Sequence, residues 1–143
     1  MIKQSADKTI DFDFEKALAF EGDTGPYLQY SLVRAKKILQ KVKMRPTLKV
    51  DFNLLKTEEE ANLLKQISSF KEIVAKAAEQ YAPNVIANYT YELTQVFNTF
   101  YEKCPVAKAD KNTKLARVLL VWAFAQTLKN ALNLLGIEEV EVM

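Results

Sequence analysis

The stretch 112–135 is apolar on almost every side of the helix that it would form, and this constrains the fold more than any other feature. Its apolar residues include Leu115, Val118, Leu119, Val121, Trp122, Phe124, Ala125, Leu128, Leu132 and Leu135. A helix that is apolar all round is buried among other elements. The pattern therefore predicts a central C-terminal helix with Trp122 in the core, and Gly136 just beyond its end.

Helix start and stop signals divide the rest of the chain into further helices. Pro26 suits a first turn after Asp23 or Thr24, and capping boxes begin at Thr57 and Ser69. The alternation at 10–14 fits a short strand or an extended lead-in to a short helix that ends near residue 20. The predicted longer helices span about 24–44, 57–68, 69–81, 84–102 and 112–135. We therefore predict an all-α fold, a single bundle of about five to six helices with a buried C-terminal helix.

Length and composition fit one soluble domain. The chain has 143 residues, 49% of them hydrophobic and 27% charged. The first nine residues are polar, so we expect 1–9 to be an arm or linker remnant and 10–143 to be the bundle. No signal peptide or membrane-spanning run is visible, and with one cysteine the chain is expected to be cytoplasmic, without a membrane partner.

Several kinds of chemistry are excluded by the residues that the chain lacks. It has no histidine, which removes catalytic triads, histidine acid–base chemistry and most zinc sites. Three glycines cannot form a phosphate-binding glycine loop. Cys104, before Pro105, has no histidine to activate it and is expected to be an ordinary semi-buried thiol. We therefore expect no catalytic residue, no metal site and no cofactor in this chain.

Positive charge is concentrated in one segment. The stretch 24–50 has no acidic residue, whereas the whole chain has a net charge of only +2. The basic residues of this stretch are Arg34, Lys36, Lys37, Lys41, Lys43, Arg45 and Lys49. Such a segment indicates a surface that faces a polyanion, although it is equally compatible with a solubilising helix face.

The helix after Pro26 carries two parallel stripes. Its core stripe consists of Leu28, Leu32, Ala35, Leu39 and Val42. A neighbouring stripe consists of Tyr27, Tyr30, Arg34, Lys37 and Lys41. Aromatic rings stack unpaired bases, arginine stacks or forms paired hydrogen bonds, and lysines follow phosphates. The stripe thus suits a single-stranded or looped RNA, or else its tyrosines cover the core edge and its cations keep the helix soluble.

The helix over 84–102 shows a weaker version of the same pattern. Tyr91, Thr94, Asn98 and Tyr101 lie on its more polar side. Tyr91 and Tyr101 either meet a ligand or cover the core edge, and the second interpretation is favoured from the pattern alone.

A long block of the sequence resembles arginyl-tRNA synthetases. It reads Phe-Glu-Lys-Ala-Leu-Ala-Phe-Glu-Gly-Asp-Thr-Gly-Pro-Tyr-Leu-Gln-Tyr over 14–30. Further matches are Arg34, Ile86-Ala87-Asn88-Tyr89-Thr90-Tyr91-Glu92-Leu93, Phe97-Asn98-Thr99-Phe100-Tyr101, Cys104-Pro105-Val106, Ala116-Arg117, Leu128-Lys129-Asn130-Ala131-Leu132, Leu134-Leu135-Gly136-Ile137 and Met143. The resemblance covers nearly the whole chain from about Ile10 and implies the helical anticodon-binding domain of a class I aminoacyl-tRNA synthetase.

The resemblance also implies roles for single residues. Tyr27, Tyr30 and Arg34, with Tyr101 and the C-terminal Met143, are expected to hold the anticodon loop of an arginine tRNA. From the stripe pattern, and not from the resemblance, Lys37 and Lys41 are expected to meet the phosphate backbone. The chain departs from the family at three positions, with Ser31 for alanine, Val142 for arginine and Pro105 where some members have an aromatic ring.

The family's catalytic motifs are missing from this sequence. The signature His-Ile-Gly-His and a Lys-Met-Ser-Lys-Ser-like loop are both absent. The resemblance therefore implies that the chain is the C-terminal region of a longer arginine–tRNA ligase, that ATP and Mg²⁺ serve the parent enzyme elsewhere, and that this chain alone does not charge tRNA. Its expected partners are the anticodon loop of tRNA(Arg) and the parent catalytic domain, and DNA is not expected.

A second interpretation has the same surface binding a protein. In it the chain is a helical interaction bundle whose Tyr/Arg/Lys stripe meets an acidic partner. An intact small enzyme is the least favoured interpretation, because histidine and nucleotide-binding motifs are lacking.

Overall fold

All regular structure in the described part of the chain is helical. The computed structural model describes residues 24–141. Its helices are α1 (Gly25–Val42), α2 (Glu58–Ser68), α3 (Phe70–Glu79), α4 (Pro83–Lys103) and α5 (Lys111–Leu134), with a 3-10 turn at Phe52–Leu54. The predicted all-α class is confirmed. The expected arm at 1–9 and the lead-in at 10–20 lie outside the described residues, so that boundary stays a prediction.

Helices α2 and α3 follow each other closely enough to be counted as one interrupted helix. Ser69 alone separates them and has helical backbone angles, with φ −75° and ψ −10°. Counted in this way, residues 24–141 contain four helices, slightly fewer than the five to six predicted.

The local start and stop signals of α1 act largely as predicted. The Thr24 side chain accepts a hydrogen bond from the Tyr27 N–H at 3.4 Å, and Pro26 lies in the first turn. The helix ends at Val42, where Lys43 takes a left-handed conformation with φ 53°. This is two residues before the predicted end.

One of the two predicted capping boxes forms. Thr57 accepts a hydrogen bond from the Glu60 N–H at 3.2 Å, and the Glu60 carboxylate accepts one from the Thr57 N–H at 2.9 Å. The prediction for Ser69 and Glu72 is wrong. Ser69 has helical backbone angles and makes no side-chain cap bond, and its hydroxyl donates to the Gln66 carbonyl at 2.9 Å instead.

The core is centred on α5, which packs against α1, α2 and α4. Phe97 of α4 and Phe124 of α5 stack face to face, with ring centroids 3.7 Å apart and an interplanar angle of 4°. The predicted core stripe of α1 is confirmed. Leu28, Leu32 and Ala35 are buried, and the other two stripe residues, Leu39 and Val42, pack against the same core cluster. The prediction of a largely buried C-terminal helix is therefore correct.

The prediction that Trp122 lies in the core is wrong. Its side chain is 41% exposed. Positions 122, 126, 130 and 133 follow helical spacing and are all exposed, so they form the one stripe of α5 that the other described helices leave uncovered. Trp122 is the apolar residue among these four positions, and Leu134, one turn after position 130, is also exposed.

A buried ion pair joins α2 and α5. The Arg117 Nε donates to Glu60 Oε1 at 2.6 Å, and Glu60 is fully buried. Burial raises the pKa of Glu60, but hydrogen bonds from the Thr57 N–H and from Arg117 outweigh it, so that the pKa lies below its ordinary value. Arg117 also donates to the Pro105 carbonyl at 3.2 Å, which fixes the loop between α4 and α5.

Cys104 is more deeply buried than expected, with 1% exposure, and its Sγ lies 3.3 Å from the Thr57 hydroxyl. Among residues 24–141 no cluster of side chains has the composition of a metal site. None of the described helices is both long enough and apolar enough to cross a membrane.

Candidate nucleic-acid interface

The candidate site lies where α1 runs beside the C-terminal half of α4. Arg34 of α1 is its centre. The Arg34 Cζ lies 4.8 Å from the ring centroid of Tyr30 on α1 and 4.8 Å from that of Tyr101 on α4. A guanidinium this close to aromatic rings forms cation–π contacts. The structure thus brings together three predicted site residues, two of which, Tyr30 and Tyr101, are 71 positions apart in the sequence.

Hydrogen bonds fix Arg34 in this position. Its Nη1 donates to Asn98 Oδ1 at 3.0 Å, and its Nη2 donates to the Tyr30 hydroxyl at 3.2 Å. The Asn98 Nδ2 donates in turn to the Tyr27 hydroxyl at 2.7 Å. Arg34 is thereby held by both helices, which removes most of the conformational freedom of its long side chain before any ligand arrives.

Asn98 is a residue of the candidate site to which the sequence prediction assigns no role. It lies one helical turn before Tyr101, on the more polar side of α4. That spacing was the available signal. Its partner Arg34 is 64 positions away, so the pairing itself could not be seen in the sequence.

The rings of the site differ in their exposure. Tyr30 is 40% exposed and Tyr101 is 42% exposed, so each presents a face to solvent. Tyr27 lies deeper, where its ring centroid is 5.9 Å from that of Tyr91 and its hydroxyl is bound by Asn98. Tyr30 and Tyr101 therefore have the geometry of stacking platforms, whereas Tyr27 supports Asn98 and Arg34 from below.

The electrostatics of the site follow from its cations. The hydrogen bond from Arg34, and then its positive charge, hold the pKa of the Tyr30 phenol below its ordinary value. Lys37 lowers it further from the next turn. A phenol polarised in this way is a better hydrogen-bond donor, which suits an acceptor atom on a base or phosphate.

An open cavity of about 250 Å³ lies over these residues. Its walls are formed by Tyr30, Val33, Arg34, Lys37, Ile38, Lys41 and Tyr101. A second cavity of about 310 Å³ shares Ile38, Lys41 and Tyr101 and extends to the loop at Pro105 and Val106. Five of the seven predicted site residues line the first cavity, which we call the groove: Tyr30, Arg34, Lys37, Lys41 and Tyr101.

Two predicted site residues are not in the groove as described. Tyr27 contacts it only through Asn98. Met143 lies outside the described residues. Among residues 24–141, no carboxylate lines the first cavity, and a single one, Glu102, lines the second. The groove therefore offers flat rings, one fixed guanidinium and two ammonium groups, which is the set of groups that binds unpaired nucleotides.

Known proteins place the chain in a defined family. The model of the DALR anticodon binding domain matches residues 28–143. The arginine–tRNA ligase of Clostridium botulinum strain Hall is 40% identical over 143 residues, which are 99% of this chain and 25% of that protein. That of Thermococcus sibiricus is 42% identical over 151 residues, which cover 100% of this chain and 23% of its own length.

Solved structures agree with the sequence matches. Arginyl-tRNA synthetase from Thermus thermophilus superposes with a TM-score of 0.91 at 37% identity, over 99% of this chain and 25% of the other. The enzyme from Plasmodium falciparum gives a TM-score of 0.86 at 26% identity, with the same coverage. The chain spans about a quarter of the length of the relatives that it matches. With a family model matched over most of its length, an all-helical fold shared with these enzymes and a groove of aromatic and basic residues, the chain belongs to the DALR anticodon-binding domain family.

Proposed function

We propose that this chain binds the anticodon loop of tRNA(Arg) in the groove between α1 and α4. The observation that carries the proposal is the fixed guanidinium of Arg34, 4.8 Å from two half-exposed tyrosine rings contributed by different helices. Tyr30 and Tyr101 would each stack a base, and Arg34 would hold a base edge. Lys37 and Lys41 would meet phosphates along the same groove.

The proposed role within a longer cytoplasmic protein is positioning. Binding the loop at one end of a tRNA sets the place of its other end, so that correct anticodon contacts favour the reaction of the correct tRNA. In this proposal the longer protein is an arginine–tRNA ligase, and its catalytic domain is the protein partner of this chain. ATP and Mg²⁺ act in that domain, and this chain alone does not charge tRNA.

The decisive experiment compares cognate and altered loops. The dissociation constant of the chain is measured by fluorescence anisotropy for an anticodon stem-loop of tRNA(Arg) and for the same stem-loop with its anticodon exchanged. Because stacking contributes roughly 1–3 kcal/mol per base, Tyr30→Ala or Arg34→Ala should weaken cognate binding by about ten- to a hundredfold. The loss on the exchanged loop should be smaller.

Tyr81→Ala is the matched control. Tyr81 is 94% exposed and precedes α4, so that it lies about 30 Å from Tyr101 along that helix. Its removal should leave both affinities unchanged. Equal losses on both loops for Tyr30→Ala would show that the groove holds the backbone without reading bases. Binding of an acidic protein that exceeds RNA binding would favour the interaction-bundle hypothesis instead.

A further inference from the structure

The segment after α5 turns back over the bundle. Gly136 has φ +71°, and the N–H groups of Gly136 and Ile137 donate to the carbonyls of Asn133 and Leu132. These two bonds form a Schellman motif, which ends a helix and reverses the chain. Ile137 then packs against the main core. We use the term C-terminal strap for the described residues 137–141.

Side chains of two helices hold the strap. The Gln29 Nε2 on α1 donates to the Glu138 carbonyl at 2.8 Å. The two carboxylate oxygens of Glu139 then have different partners, Lys36 of α1 for Oε2 and Lys129 of α5 for Oε1, each at 2.7 Å. Hydrogen bonds from Lys129 and Lys36 lower the pKa of Glu139, so the carboxylate is ionised near neutral pH.

The strap is attached to the stripe of α1 next to the one that lines the groove. Gln29, Val33 and Lys36 follow one another at spacings of four and three and form one stripe of α1. The stripe of Tyr30, Arg34 and Lys37 is one residue further on, about 100° around the helix. Val33, between the two attachment points, is 1% exposed and lines the same cavity as Tyr30 and Arg34.

The charge of Glu139 makes its position informative. A carboxylate beside a surface that binds a polyanion repels the ligand, and it also neutralises Lys36, one of the seven basic residues of the 24–50 segment. If electrostatic attraction of RNA were the only requirement at this position, a carboxylate there would be unfavourable. Its double ion pair therefore indicates a contribution that outweighs this repulsion.

We propose that Glu139 is a positioning residue, which ties the C-terminal strap to α1 and α5 so that the strap forms one edge of the RNA groove. The proposal rests on the proposed function, because the groove must bind RNA for its edge to matter. In this proposal Glu139 acts through its ion pairs with Lys36 and Lys129 and does not itself contact a nucleotide.

The direction in which RNA affinity changes when a charge is removed tests the proposal. In the 143-residue chain, Glu139→Gln removes one negative charge beside the groove, and Glu138→Gln removes one from the adjacent position, whose described contact is made by its backbone carbonyl. If charge alone mattered, both variants would bind the anticodon stem-loop of tRNA(Arg) more tightly. We expect Glu139→Gln to bind about three- to tenfold more weakly, as for the loss of two partly exposed ion pairs, and Glu138→Gln to bind as the wild type does or slightly more tightly.

Hydrogen exchange without RNA gives an independent readout. Exchange of the strap amides, followed by mass spectrometry, should accelerate in Glu139→Gln and stay unchanged in Glu138→Gln. The affinity ratio between cognate and anticodon-exchanged loops should also fall in Glu139→Gln, whereas a general loss of folded protein leaves that ratio unchanged.

Each outcome decides a separate question. Unchanged exchange in Glu139→Gln would show that the ion pairs do not hold the strap. Faster exchange with equal or tighter RNA binding would show that the strap is held but is no edge of the groove, and would overturn the proposal. Failure of the wild-type chain to bind the stem-loop would reject the proposed function, and exchange would still show whether Glu139 holds the strap.

Discussion

Arg34 shows how a single side chain is prepared for a ligand. It is bound by Asn98 and Tyr30 and lies against two rings, so its guanidinium has a fixed position in the described structure. Because arginine otherwise loses up to about 2 kcal/mol of side-chain entropy when it is immobilised, the prior fixing favours tight binding. The same contacts leave part of its N–H donors for a base or a phosphate.

Trp122 is the residue whose environment differs most from expectation, and this changes the stability that it is expected to provide. Because its ring is 41% exposed, Trp122→Ala should lower the free energy of unfolding by about 1–2 kcal/mol. Phe124→Ala should lower it by about 3–5 kcal/mol, since Phe124 is fully buried and stacked on Phe97. Urea unfolding followed by far-ultraviolet circular dichroism measures both. Losses of equal size would place Trp122 in the core after all.

At the scale of helices, the start of α2 combines a cap with a buried ion pair. Thr57 caps the helix, Glu60 closes the capping box, and the same carboxylate binds Arg117 of α5. A local signal in four consecutive residues is thus tied to the packing of a distant helix. This explains why α2 begins where the sequence indicates.

The two serine/threonine positions that begin predicted capping boxes provide a matched comparison. Thr57→Ala removes a hydrogen bond to the Glu60 N–H and should cost about 1 kcal/mol of stability, with a range of roughly 0.5–2. Ser69→Ala should change stability by less than about 0.5 kcal/mol, because Ser69 caps no N–H group. Thermal unfolding of the two variants tests this. A larger loss for Ser69→Ala would contradict the absence of a side-chain cap at Ser69.

The successes and failures of the sequence predictions share one physical cause. The core stripe of α1 and the cap at Thr57 depend on neighbours within a few residues, so spacing alone reveals them. Trp122 was misplaced because a helix that is apolar on nearly all sides gives no sign of which side stays uncovered. Asn98 was missed because its role depends on Arg34, and only the packing of α1 on α4 brings the two together.

For the whole molecule, charge separation matters more than net charge. The stretch 24–50 carries seven basic residues in a chain of net charge +2, and Lys36 is already paired with Glu139. The cations that line the groove are Arg34, Lys37 and Lys41. Long-range attraction should therefore bring RNA to this face of the bundle.

Salt dependence measures this attraction. The logarithm of the RNA affinity should fall linearly with the logarithm of salt concentration, and Lys37→Ala or Lys41→Ala should each reduce the slope by about 0.7–0.9. Both variants should weaken cognate and anticodon-exchanged loops alike. Lys71→Ala on α3 is the control and should leave the slope unchanged. Affinity that does not respond to salt would show that the lysines serve solubility alone.

The groove is divided between two helices whose paired residues are 64 and 71 positions apart. A loop stacked on both Tyr30 and Tyr101 would bind only the state in which α1 and α4 are docked. RNA would then act as a ligand of the folded chain alone, and by mass action a concentration one hundred times the dissociation constant would add about 2.7 kcal/mol to its stability. Measurements of anticodon-loop binding and of the folding stability of the bundle would therefore report on one coupled equilibrium.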